Sequence, residues 1–187
     1  MVMLRGLMAL FTGSRVSPQE KEELISYYIR ETQLTKLQDR EAERYNALMM
    51  QHGSHLDNPE SAKVLVDASR RLALCAKELI RRHVSLGQVP DRAAMSYGAW
   101  HGVYLAYDEW ADAVHAALTA VSEGRSPFGV ERVGDFFRQM EAARRVAERE
   151  DKKMLKAAGL KAGDLLRLTA GAYEASAASD WEPGADA

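Results

Sequence analysis

An all-α fold is predicted for this chain by three observations. Prolines and glycines bracket long segments, apolar residues recur at helical spacing inside them, and no apolar–polar alternation is long enough to build a sheet. Pro18, Pro59, Pro90 and Pro127 each open a segment that runs without another proline to Gly53, Gly87, Gly124 or Gly159. Proline suits the first helical turn, where its missing N–H costs nothing, and glycine suits the left-handed residue just past a helix end. Four helices are therefore expected, over about 18–52, 59–86, 90–123 and 127–158. The links between them, about 53–58, 87–89 and 124–126, are short. Links of that size make sequence neighbours antiparallel, which predicts an up-down-up-down four-helix bundle.

The first helix has Ser17 as N-cap and Glu20 three residues on, the spacing of a reciprocal capping box. Its apolar positions are Leu24, Tyr28, Leu34, Leu37, Tyr45, Leu48 and Met49, with a polar interruption around Arg40 to Arg44. The second carries a cleaner seam of Leu65, Ala68, Leu72, Cys75 and Leu79, at alternating steps of three and four. The fourth shows Val133, Phe137, Met140, Ala143, Ala147 and Met154 on one side and mixed charges on the other. A short fifth helix is expected over about 160–178, followed by an acidic tail at 179–187 that holds Trp181. Residues 1–13 read as an apolar arm, and 14–178 as one bundle domain.

The chain has 187 residues, 47% of them hydrophobic, enough for one well-buried core. A formal charge of -2 gives no reason to seek nucleic acid or anionic lipid. It is unevenly spread. Six basic against three acidic residues leave 59–86 at +3, and one against five leave 91–123 at -4, so the second and third helices should be complementary neighbours. The single Cys75 has no disulfide partner in the chain, which fits a reducing, cytoplasmic setting. Residues 1–11, MVMLRGLMALF, fall well short of the ~20 apolar residues that span a bilayer. They also lack the basic start and cleavage pattern of a signal peptide. Docking on the bundle or on a partner is expected of this arm, with membrane-surface contact through residues 1–11 as the alternative.

Unusual residues concentrate in the third helix. Tyr97, Trp100, Tyr104 and Tyr107 join Ala111, Val114 and Leu118 in one arc, while Gly98, Gly102, Ala106, Ala113, Ala116 and Ala120 form a ridge that permits close approach of another backbone. The narrow polar sector left over holds His101, Asp108, Asp112 and His115. Those four lie on one line, and Asp112 and His115 stand one turn apart, a device that carboxylate-bridged bundles use to bind metal. Such bundles repeat it on a second helix, and no second acid-x-x-His pair occurs here. Asp108 and Asp112 also make a DxxxD pair of the kind that holds magnesium-diphosphate, without the second aspartate-rich motif that chemistry needs. The plain account is that an amphipathic helix requires a polar side, and this one is acidic with two histidines. His52, His55 and Asp57 could form a loop metal site, though a helix C-terminus favours His52 without any ligand, and His83 likewise.

No nucleophile elbow, phosphate-cradling glycine loop, HExxH or cysteine-pair metal motif occurs. No catalytic or cofactor-binding residue is therefore nominated. The expectation is a non-catalytic bundle acting through protein–protein contacts, as a homo-oligomer or with a protein partner. The alternative is a divalent-metal protein or metal-dependent enzyme built on His101, Asp108, Asp112 and His115.

Overall fold

The computed structural model describes residues 16–126, 130–160 and 181. Among the described residues the chain is all-helical, with no strand. Four long helices, α1 (Pro18–His52), α2 (Pro59–Val84), α3 (Ala94–Ser122) and α4 (Val130–Ala157), are joined through 3-10 turns at Gly53–His55 and Asp91–Ala93. The expected fifth helix, the apolar arm and the Pro127 start of the fourth helix lie outside the described residues, as does the acidic tail apart from Trp181.

The caps explain most boundaries. Ser17 Oγ accepts from the Glu20 amide at 3.1 Å, and Asn58 Oδ1 accepts from the Glu60 amide at 2.9 Å, each with proline in the first turn. The Glu20 carboxylate, expected to turn back on Ser17, accepts instead from Arg92 Nε at 2.5 Å, so half of the capping box serves tertiary structure. Gly87, Gly124 and Gly159 adopt φ of 81°, 69° and 68°, the left-handed stop. Gly53 does not. Its φ is -63°, because α1 tightens into a 3-10 turn where it ends. Pro90 likewise opens a 3-10 turn, with φ -59° and ψ 143°, so α3 begins at Ala94 and not at 90. The second helix stops at Val84, where Ser85 bonds back to the carbonyls of Arg81 and Arg82.

Consecutive helices pack on one another, and α3 lies against both α2 and α4. Along α1 and α2, His52 meets Ser61, Glu41 meets Arg71 and Glu31 meets His83. Ser69 meets His115 and Lys77 meets Asp108 between α2 and α3, while Trp110 meets Phe137 and Trp100 meets Asp151 between α3 and α4. Asp39 of α1 accepts from both Nη atoms of Arg144 of α4, at 2.6 and 3.0 Å.

The buried face of α1 reads Leu24, Tyr27, Glu31, Leu34, Gln38, Glu41 and Tyr45, an unbroken alternation of three- and four-residue steps. The polar interruption expected around Arg40 to Arg44 thus conceals a buried position, Glu41. On α2 the seam of Leu65, Leu72, Cys75 and Leu79 is buried and continues to His83. Phe137, assigned to the core face of the fourth helix, is 45% exposed. Its ring lies 5.8 Å from Trp110 at the rim, and Phe136 packs against the core beside it.

Candidate functional site

The polar sector of α3 lies along the groove between α2 and α3, and its four residues do not share one partner. Lys77 Nζ of α2 stands 3.2 Å from Asp108 Oδ1 and 2.8 Å from Asp112 Oδ1. Partial burial works against the ammonium charge, and the hydrogen bonds that Lys77 donates to Asp112 and Asp108 more than offset it, so the Lys77 pKa lies above its usual value. The complementarity expected of a basic second and an acidic third helix is realised at Lys77. His115 Nδ1 pairs with Ser69 Oγ at 3.0 Å. His101 is separate again, its ring stacked 5.5 Å from that of His83. Among the described residues no three His, Cys, Asp or Glu side chains converge as a metal site would require.

The structure places the denser chemistry one sector away, inside the bundle. Glu31 is 1% exposed. Its Oε1 accepts from the Tyr104 hydroxyl at 2.6 Å and its Oε2 from His83 Nδ1–H at 3.1 Å. A carboxylate on Nδ1 fixes the imidazole's orientation, as outer carboxylates do for working histidines. His83 is then clasped by aromatic rings, stacked on Tyr97 at 4.2 Å and edge-on to Tyr104 at 5.2 Å. Beside it, Asp151 of α4 accepts from Trp100 Nε1 at 3.0 Å and from Ser96 Oγ at 2.5 Å. Ser96 has one proton and gives it to Asp151, so Tyr27 must be the donor in its 3.2 Å contact with Ser96.

Burial sets the electrostatics of this network. It pushes the Tyr27 and Tyr104 hydroxyls well up, reinforced by the negative charge of Glu31, so both are firm donors. Burial also raises Asp151 above its ordinary value, against the lowering effect of its bonds to Ser96 and Trp100. Four helices thus converge on two carboxylates, with α1 supplying Glu31 and Tyr27, α2 His83, α3 Ser96, Trp100 and Tyr104, and α4 Asp151. Each carboxylate accepts at both oxygens. That arrangement orients side chains and fixes the register of the helices. A cleft of about 370 Å³ lies near this end, lined by Glu22, Glu23, Ser26, Arg30, Gln88 and Pro90, and none of the network residues lines it.

A second buried carboxylate pair sits further along α1. Arg71 Nε and Nη2 hold Glu41 at 2.6 and 3.0 Å, with Glu41 3% exposed. Neither Glu31 nor Glu41 was nominated from the sequence, because both are charged residues on a helix rich in charge. The unbroken heptad spacing through them is the signal that identifies them. No protein-family model, curated protein or solved structure matches the chain.

Proposed function

We propose that this is a non-catalytic, cytoplasmic helical-bundle protein that works through protein–protein contacts, pairing with a second copy across the outer face of α3. The observation that carries the reading is the stripe Met95, Gly98, Gly102 and Leu105, spaced by three, four and three residues on one face. Met95 is 72% and Leu105 45% exposed, and a Cβ built on either glycine meets nothing within 4 Å among the described residues. The ridge of small residues is therefore unused by the described bundle at this stretch. Residues 93–107 contain no Asp, Glu, Lys or Arg, so two copies can meet here without opposing like charges. Exposed apolar surface with a close-approach backbone is the makeup of a helix–helix interface.

The up-down-up-down order belongs to the same proposal, and the end-to-start pairing of contacts between successive helices supports it. A single buried cysteine suits a reducing compartment, and a formal charge of -2 offers nothing to a phosphate backbone. Sedimentation velocity tests the pairing. The full chain should sediment as a dimer, and Met95→Lys/Leu105→Lys as a monomer with unchanged helical circular dichroism. A wild-type chain that remains monomeric at every accessible concentration overturns the reading.

A further inference from the structure

Arg71 of α2 does more than neutralise Glu41. Its guanidinium carbon lies 5.3 Å from the centroid of the Trp181 ring, and its Nη2 donates to the Trp181 carbonyl at 3.3 Å. Trp181 is 9% exposed and belongs to the main hydrophobic cluster, although it stands in the polar stretch SDWEPGADA.

The construction is that of a receptor for one residue. The two-pronged bond to Glu41 holds the guanidinium plane, so its face is presented to an indole without further ordering. The same group then takes the carbonyl of the residue whose ring it covers, reading side chain and backbone together. The sequence on either side of each partner agrees with that role. Trp181 is flanked by Asp180 and Glu182, and Arg44 and Arg70, neighbours of Glu41 and Arg71 along their helices, are exposed.

We propose that the Arg71–Glu41 pair is a binding site for a tryptophan within an acidic peptide, filled by the chain's own Trp181 and able to take the same segment from another molecule. It does not rest on the α3 face, and either can fail without the other. A labelled synthetic peptide of residues 177–187 (AASDWEPGADA), titrated with the full-length chain and followed by fluorescence anisotropy, tests it. Full-length Trp181→Ala should bind the peptide, and wild type at least about tenfold more weakly, because a tethered tryptophan competes at an effective concentration on the millimolar scale. The peptide with alanine for tryptophan should not bind. Trp181→Ala/Arg71→Lys, which keeps the charge but loses the fork, should bind more weakly than Trp181→Ala, with its helical content checked by circular dichroism. Equal binding to wild type and Trp181→Ala, no binding to Trp181→Ala, binding of the alanine peptide, or indifference to Arg71→Lys overturns the site.

Discussion

The inner and outer faces of α3 are built on opposite principles. Toward the bundle, Ser96, Trp100 and Tyr104 are buried and donate hydrogen bonds to carboxylates on α1 and α4. Toward the outside, Gly98, Gly102 and Leu105 ask for no partner of any charge, and Met95 stands 72% exposed. The inner face is specific because each donor is buried and costly to strand. The outer face is permissive because its backbone is bare. The same helix therefore locks its own bundle on one side and leaves an apolar surface exposed on the other.

The contrast is broken most severely from the inner side. Glu31→Ala strands His83 Nδ1–H and the Tyr104 hydroxyl, each buried, at about 1–3 kcal/mol apiece. Urea unfolding should show that loss as a lower midpoint, and a change below ~1 kcal/mol would mean that the network is not structural. The α4 arm of the network has a pH signature. Asp151 has a folded pKa raised above 3.8, so the native state holds a proton that the unfolded chain has already released in the window above that value. Stability from this group therefore falls as pH rises through the window. Asp151→Asn removes that dependence, so its stability relative to wild type should increase with pH from 3.8 upward. A difference that is flat with pH contradicts the burial of this carboxyl.

The outer face responds by less and in the other sense. Gly98→Ala adds a methyl group into open space in a helix interior, and should stabilise the monomer by about 0.5–1 kcal/mol. Gly102→Ala should do the same. If either were packed against the bundle, the sign would reverse.

The architecture was legible where capping chemistry is local. Ser17–Pro18, Asn58–Pro59 and the three left-handed glycines each state a boundary within a few residues. Gly53 and Pro90 misled by a turn, since neighbouring 3-10 geometry decides whether a glycine reverses the chain or a proline opens an α-helix. The polar core was hidden for a different reason. A buried Glu31 looks like a surface Glu22 until its place in the 24-27-31-34-38-41-45 spacing is counted, and its partners lie on helices two and three. Asp108 and Asp112 drew notice because they share a helix with the aromatics, yet their common partner, Lys77, lies on another. Sequence spacing places residues on a face, and only packing decides which face is inside.

Cysteine cross-linking at the outer face tests the central claim most directly. Burial pushes the Cys75 thiol up to about 12, so the native cysteine stays inert and need not be replaced. If two copies meet along the glycine ridge, Gly102→Cys brings two thiols within the ~7 Å Cα separation that a disulfide can span. Under mild oxidation this variant should form a covalent dimer rapidly, while Asn46→Cys, an exposed position on α1, remains monomeric. Equal cross-linking of the two variants, or none at Gly102→Cys, would contradict pairing through α3.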